Sequence, residues 1–448
     1  MGGGLLQLVA YGAQDAYITG NPHITFWKVL YKRHTNFAME AFRVNFTGSP
    51  MYGQRVVANV NRDADLIWKT YVEVTLPDTG FGDGADINWT SGAQRRLGYL
   101  LLKQIEVEIG GQIIDRHYGE WLYLWETLTA DFDTSMKLDT LVGGEYSGAP
   151  STITTADACG GRPKVLYVPL QFWFNRNPGL ALPLIALQYH EVRFNITLED
   201  SINLVNGTAG APGTIASQAA RLPNLKDMAL YIDYVYLDVE ERRRFAQESH
   251  EYLIDQLQYT GQQTITTSSA RLDLTLNHPV KELVWVFQDE RRTDCGSSST
   301  ISAGFTQPFT YNDIVNRARL QINGQDRFDE RYGDYFWKVQ PYQHHTGGGF
   351  SRAVVDTTSA IAADPVISRS APNPINVYSF AIQPEEHQPS GTCNFSRIDS
   401  ATLVFDSATA GGAGTFPSKT TPYNFRIYAV NYNIFRIMSG MGGLAYSN

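Results

Sequence analysis

Val107-Glu108-Ile109-Gly110-Gly111-Gln112 returns 213 positions later as Leu320-Gln321-Ile322-Asn323-Gly324-Gln325. One inserted residue moves the offset to 214, and the match continues. Asp115, Tyr118, Gly119, Glu120 and Trp121 correspond to Asp329, Tyr332, Gly333, Asp334 and Tyr335. Each copy reads as a strand, a two-residue turn, a second short strand and an aromatic segment. Asn-Gly is the preferred type I′ hairpin turn because both central residues need positive φ, and Gly-Gly meets the same need. The order of later elements repeats as well: a long loop, a strand (191–198 or 398–405), another long loop and a closing strand (230–238 or 424–437). A period near 200 residues far exceeds the ~20–50 of a solenoid unit and marks duplication of a whole domain.

Outward from the repeat, the prevailing period is two. At 71–76, Val72, Val74 and Leu76 fall on one face and Tyr71, Glu73 and Thr75 on the other, the pattern of a half-buried strand. The same alternation recurs at 104–109, 191–198, 230–238, 272–276 and 424–432. Stretches rich in Gly, Ser, Thr, Asn and Pro separate the strands at 77–93, 142–163, 203–223, 295–308, 347–374 and 406–422. They read as surface loops longer than compact domains usually carry, which favours function at their tips. Helical signals are few: one or two turns at 5–11, and the stretch 239–258, whose run Glu240 to Arg244 is charge-mixed and reads as a solvated linker face. This stretch lies mid-chain and divides it in two. Two consecutive domains of about eight strands suit jelly rolls better than immunoglobulin sandwiches of about 100 residues.

Composition bounds the function. With 43% hydrophobic and 18% charged residues, the 448-residue chain buries sizeable cores and is neither disordered nor a coiled coil. A net charge of -9 gives nothing to attract a phosphate backbone, so no direct nucleic-acid binding is expected. Cys159, Cys295 and Cys393 are odd in number and far apart, which indicates neither a disulfide framework nor a structural zinc site and fits a reducing compartment. The N-terminus has no basic n-region or long apolar core, and no segment holds about 18 consecutive apolar residues, so neither a signal peptide nor a membrane span is expected. Gly2 lacks the Ser or Thr at position 6 that myristoylation wants, since Leu6 stands there.

The chemical motifs are weak. His344-His345 is not the H-x-H of a cupin metal site. Adjacent strand side chains point to opposite faces, so the pair reads as a surface loop edge. Gly80-Phe81-Gly82-Asp83-Gly84-Ala85 follows a strand but opens no helix, and so cannot hold a pyrophosphate. No nucleophile elbow, P-loop, zinc-protease or calcium-loop pattern appears. The expectation is no catalytic residue, no metal and no cofactor. Asp115, Glu120, Asp329 and Asp334 recur in the repeat and read as turn-holding residues paired with neighbours such as Arg116 and Arg331. Sequons stand at Asn45, Asn88, Asn195, Asn206 and Asn394. Asn195 and Asn45 fall in strands, Asn88 and Asn206 in loops, and without a secretory signal no sequon should meet the luminal glycosylation machinery. The aromatic clusters at 121–125, 172–174 and 335–337 read as core or interface, with sugar-stacking platforms as the alternative.

Six long blocks then carry a resemblance across the whole chain. They are GGLLQLVAYGAQDAYITGNPHITFWKVLYKRHTNFAME (3–40), PGLALPLIALQYHEVRF (178–194), RFAQESHEYLIDQLQ (244–258), INGQDRF (322–328), QPSGTCNFSRID (388–399) and NYNIFRIMSGMGGLAYSN (431–448). Together they resemble the major capsid proteins of nucleocytoplasmic large double-stranded DNA viruses, in the branch infecting algae and amoebae. The resemblance implies an all-β double jelly roll: two consecutive eight-stranded jelly rolls with a short N-terminal arm and few short helices. It divides the chain into an arm (1–24), a first jelly-roll domain (25–238), a helical linker (239–257) and a second jelly-roll domain (258–448). It implies a homotrimer forming a pseudo-hexagonal capsomer, packed against neighbouring capsomers and minor capsid proteins. Such capsomers tile an icosahedral virion capsid around an internal membrane, assembled in the host cytoplasm. The glycine-rich arm and the tail Gly440-Met441-Gly442-Gly443 are then expected to order on neighbouring subunits or the shell. Some members of the family carry surface sugars, and through that resemblance alone Asn88 and Asn206 stay as glycosylation candidates. A carbohydrate-binding, lectin-like jelly roll is the alternative function.

Overall fold

The computed structural model describes residues 11–22, 33–77, 96–143, 165–205, 220, 222–290, 309, 311–347, 354–355, 367–368, 373–407 and 422–446. Most of each long loop, with Asn88, Asn206, the 80–85 motif, Cys159, Cys295 and the turns at 5–10, lies outside these residues. The first half contributes β1 (Phe37–Asn45), β2 (Arg55–Asn59), β3 (Leu66–Thr75), β4 (Leu102–Ile109), β5 (Gln112–Tyr118), β6 (Val165–Pro169), β7 (Val192–Leu198) and β8 (Asp227–Leu237). Helices α1 (Gly119–Thr129) and α2 (Phe132–Val142) follow β5. After the connecting helix α3 (Val239–Gln247), the second half contributes β9 (His250–Ile265), β10 (Ser269–Asp273), β11 (Pro279–Asp289), β12 (Val315–Ile322), β13 (Gln325–Asp326), β14 (Asn376–Ser379), β15 (Ala401–Ser407) and β16 (Tyr423–Met438). A one-turn helix α4 (Gln340–His344) ends the aromatic segment after β13.

The duplication holds along the main strand path of every sheet. The first half pairs its strands β1-β8-β3-β6 and β2-β7-β4-β5, and the second pairs them β9-β16-β11-β14 and β10-β15-β12-β13. Adding eight to each number converts one half into the other. All these ladders are antiparallel, and each half is a jelly roll of two sheets facing across a core. Short strands extend three of the sheets, Leu182–Pro183 on β3, Cys393–Asn394 on β11, Met441–Leu444 on β16 and Arg331–Tyr332 on β12. Both repeat turns are two-residue hairpins, with Ile109 opposite Gln112 and Ile322 opposite Gln325. Gly110, Gly111, Asn323 and Gly324 all have positive φ, as the turn type requires.

Alternation decides what each strand buries. In β3, Val72 and Val74 face inward with Leu230 and Ile232 of β8, toward Ile105, Val107, Phe194 and Ile196 of the other sheet. The second core holds Leu283, Trp285 and Phe287 with Leu320, Leu403, Phe405 and Phe425. The first cluster does not stop at the first half: it takes in Ile254, Val284, Val286, Tyr428 and Val430, the outward face of the sheet β9-β16-β11-β14. That face is buried beneath the first half.

Two expectations change here. The stretch 239–258 is not one helix. Asp238 caps α3 with its side chain on the Val239 N–H, and Glu248 is already extended. From His250 the chain is β9, paired along its length to β16, so residues 250–257 belong to the second half's sheet rather than to a linker. Of 250–257 only Ile254, Asp255 and Gln256 are buried, and two of these are polar, so no apolar alternation marked the strand. The C-terminal tail also orders within its own chain. Residues Met441–Leu444 fold back on Phe435 to Met438 as a hairpin, and the Tyr189 N–H donates to the Gly440 carbonyl at 3.0 Å.

Candidate functional site

The feature that organises the molecule is the seam between the halves, built on the flank of the first half where β5 runs into α1. Gly119 starts that helix because nothing larger fits: a Cβ there would lie 2.0 Å from the Tyr99 carbonyl oxygen and 2.5 Å from that of Leu102. Gly333 repeats the requirement, with a Cβ 2.2 Å from the Val315 oxygen. Beneath α1, Arg96 bridges Glu126 at 2.6 Å and Asp139 at 2.7 Å, all three buried. Burial pushes the Glu126 carboxyl up to about 7, against the pull of Arg96.

From this base Glu120 crosses the seam. Arg426 of β16 holds it through two bonds of 2.7 Å, from Nε to Oε2 and from Nη2 to Oε1. The hydroxyls of Tyr428 and Tyr311 donate to the same carboxylate at 2.5 and 3.1 Å. Arg426 also donates to Gln288 at 2.5 Å and Gln262 at 3.1 Å. Burial opposes the charge on Arg426, yet Glu120 holds its pKa above the ordinary arginine value. Burial, with Glu120 adding to it, pushes the Tyr428 and Tyr311 hydroxyls well up.

Aromatic rings fill the rest. Tyr118 packs edge-on against Tyr259 at 4.9 Å and lies 6.4 Å from Tyr428. Trp121 meets Tyr428 at 5.6 Å, Tyr123 stacks on Phe309 at 4.6 Å, and Trp173 reaches Phe435 at 6.1 Å. Asp115 accepts the Leu257 N–H at 3.1 Å, Gln256 donates to the Ile114 carbonyl, and Asn373 donates to the Tyr123 hydroxyl at 2.9 Å. A cavity of about 390 Å³ opens along this line, with Lys103, Gln262 and Tyr259 among its lining residues. Its charged groups are already engaged, Glu120 with Arg426 and Lys103 with Glu199.

Several sequence-based readings are corrected by this geometry. The Arg116 side chain pairs with Glu106 at 2.8 Å and not with Asp115 or Glu120. Asp115 accepts the Arg116 N–H, lies 3.0 Å from His117 and also reaches the second half at the Leu257 N–H, while Glu120 ties the halves through Arg426. Asp334 pairs with Lys338, and Arg331 stacks over Tyr335. Their true partners lie about 140 and 300 positions away in sequence, and only the fold brings them together. His345 is not on a loop edge. It is buried between Glu282 and Glu385, 3.0 Å from each. Burial works against its charge, but the two carboxylates outweigh it and lift its pKa to about 9. Trp121, Trp125, Phe172, Trp173, Phe174, Phe336 and Trp337 are buried, as core or seam, and cannot serve as sugar platforms. Asn195 is buried and donates to Glu108, while Asn45 and Asn394 close exposed strand ends. Among the described residues, no group of three His, Cys, Asp or Glu is placed to hold a metal, and no helix is long and apolar enough to cross a membrane.

Two jelly rolls of one topology, joined by a buried polar and aromatic seam, define a double jelly-roll protein. The family model described as the major capsid protein N-terminus matches residues 25–238, and that of the large eukaryotic DNA virus major capsid protein matches 241–350 and 359–443. The chain belongs to this family of major capsid proteins. It is 46% identical over 451 residues to the major capsid protein of Pyramimonas orientalis virus, and 40% identical over 485 residues to that of Paramecium bursaria Chlorella virus 1, with all of both chains covered in each case. Its fold is similar to the solved PBCV-1 VP54 chain, with a TM-score of 0.73 and 36% identity over 95% of this chain and 100% of that one. The Faustovirus major capsid protein, at 13% identity and a TM-score of 0.68 over 96% of this chain and 94% of that one, shares the fold. The protein is therefore a capsid building block and not an enzyme.

Proposed function

We propose that the chain assembles as a homotrimer whose six jelly rolls form a pseudo-hexagonal capsomer, and that capsomers tile an icosahedral virion shell around an internal membrane. The observation that carries this reading is the match of the two halves along the main strand path of each sheet. Three chains of two equivalent halves present six similar edges, which lets a threefold oligomer occupy a sixfold lattice position. Residues 1–24 serve as an arm, 25–238 as the first domain and 258–448 as the body of the second. Neighbouring capsomers and minor capsid proteins are the partners, nucleic acid is not contacted directly, and assembly takes place in the host cytoplasm. Asn88 and Asn206 are the positions for surface sugars, and an intact mass of virion-derived protein equal to the bare chain would remove them.

The capsomer reading is tested by light scattering of the purified chain after size exclusion, with negative-stain images of the peak. A species of about 150 kDa, three times the 50.0 kDa chain, with a hexagonal outline is expected. A chain that stays at the monomer mass up to the concentrations of assembly would overturn it.

A further inference from the structure

Lys281 of β11 is a fully buried lysine, its side chain 1% exposed. It stands at a bulge. Val280 pairs with Asn431 of β16 and Glu282 with the adjacent Val430, so Lys281 is the extra residue of its strand. Its Nζ donates to Oδ2 of Asp255, on β9, at 3.0 Å. β9 and β11 are the two neighbours of β16, so this contact bridges over a whole strand. It passes across the ring of Tyr432, the ladder partner of Asp255, with Nζ 4.9 Å from the ring centroid.

Two further groups converge there. Arg176 reaches in from the first half, 3.8 Å from the same Asp255 oxygen and 4.0 Å from the Trp125 ring. Glu282, next in the chain to Lys281, has its carboxyl wholly buried, with His345 3.0 Å from Oε2. Burial pushes the Tyr432 hydroxyl up, and Asp255 and Glu282 both add to it, so the two carboxyls surround one ring. Burial also pulls the Arg176 guanidinium down, against Asp255, Asp115 and Glu282, as expected where water is excluded. Among the described residues, Oδ1 of Asp255 and both oxygens of Glu282 receive no hydrogen bond.

An ion pair this deep recovers little of what its desolvation costs, and here a covalent outlet lies at hand. An amine and a carboxyl held at hydrogen-bond distance react as though highly concentrated. Amide formation then needs one more group, to move the proton. We propose that Lys281 and Asp255 condense to an isopeptide bond, with Glu282 as the proton carrier. Glu282 takes a proton from the Lys281 ammonium, and the freed nitrogen lone pair forms the N–C bond at the Asp255 carboxyl carbon, which Arg176 polarises. One C–O bond of Asp255 then breaks. Its oxygen takes back the proton on Glu282 and a second from the nitrogen, and departs as water past Arg176, which is 18% exposed. One ammonium and one carboxylate become one amide and one water, with no oxidant, metal or cofactor, and Glu282 ends as it began. Charge stays balanced, because Arg176 and His345 are left facing Glu282 and Glu385. The reaction runs once within each chain, so the protein remains a building block. Its product staples β9 to β11 across β16, in the sheet that carries the second half's side of the seam, and resists reduction. This inference does not depend on the trimeric reading.

Mass spectrometry tests it on the full chain, produced in bacteria so that no sugar is added. Wild type is expected one water lighter than the mass calculated from its sequence. Trypsin should release a branched peptide in which 245–271 is joined through Asp255 to an uncut Lys281. Lys281→Arg, which keeps the cation, is expected at its full calculated mass. Glu282→Gln is expected to form the bond at least about 100-fold more slowly, and so to purify unlinked. A wild type at its full calculated mass, or a water lost from any other segment, overturns the proposal whether or not the variants fold. A Glu282→Gln chain that links as fast as wild type overturns the role given to Glu282.

Discussion

Replacing Arg426 by alanine tests the seam most directly. Arg426 and Glu120 have side chains only 10% and 14% exposed, and two bonds of 2.7 Å join them. Taking away the guanidinium leaves Glu120 with two tyrosine hydroxyls for its charge. Breaking a buried pair from one side costs about 3–5 kcal/mol, because the surviving charge stays desolvated. That is a large part of the ~5–15 kcal/mol that holds a folded protein together. For a cooperative unit of about 200 residues it corresponds to a melting temperature lower by about 6 °C or more. Changing both partners, Glu120→Gln with Arg426→Gln, removes both charges and keeps an acceptor for Tyr428, so the loss falls to about 1–2 kcal/mol. The cycle of Glu120→Gln, Arg426→Gln and the double variant should therefore be non-additive, the double losing less than the two single changes summed by at least about 1 kcal/mol. The assay is urea unfolding followed by fluorescence of Trp121, Trp125 and Trp173, which lie at or beside the seam. Strictly additive variants, or an Arg426→Ala loss below about 1 kcal/mol, would refute the claim that this network welds the halves.

Three further outcomes follow from particular residues. His345 has its folded pKa raised to about 9 from an ordinary 6.5, so its contribution is complete below pH 6.5 and lost as pH rises through 9. Wild type should lose about 3 kcal/mol more than His345→Gln between pH 6 and pH 9.5 in urea midpoints, and equal slopes would count against a charged imidazole between Glu282 and Glu385. Gly442→Ala would place a Cβ 2.6 Å from Leu187 Cδ2 and 2.9 Å from the Phe435 ring, so the C-terminal hairpin should lift off at a cost of about 1–3 kcal/mol, read as faster proteolysis of the tail. Gly119→Ala and Gly333→Ala, which force Cβ atoms onto backbone oxygens, should each leave the chain insoluble or melted at growth temperature, whereas Gly111→Ser, with open space around it, should cost only the strain of its positive φ.

The fold was legible because its signals are local. A strand, a positive-φ dipeptide and a returning strand at 107–118 and again at 320–332 announce hairpins, and the second occurrence announces duplication. The conserved Gly119 and Gly333 were visible in the repeat, but their reason, a carbonyl within 2.0 or 2.2 Å of an absent Cβ, exists only in three dimensions. The seam was not legible. Glu120 reads like any carboxylate at a helix start, and its partner Arg426 sits in an alternating strand with nothing nearby to suggest burial. β9 was hidden for a related reason: Asp255 and Gln256, buried at its centre, break the apolar alternation by which strands are recognised. His345 was misplaced because adjacent histidines look like polar loop, and the carboxylates that bury one of them, Glu282 and Glu385, come from distant positions.

Duplication explains which features kept their identity and which diverged. The turn and the glycine determine whether each half folds, so both copies retain them. The contact residues answer to different demands. Inside one chain the second half meets the first at a high effective concentration, and the contact can be made of fully buried groups such as Trp121 and a desolvated ion pair that would be hazardous in water. On the second flank Tyr332 and Tyr342 are exposed, and tyrosine suits such a place because it combines apolar area with a hydroxyl that tolerates solvent. Where the first flank has buried Trp121, the second has Tyr335 beneath Arg331. A flank that stays internal keeps tryptophan and a buried carboxylate, whereas at the equivalent positions of the second half stand Tyr335 and an exposed Asp334 paired with Lys338, groups that tolerate solvent.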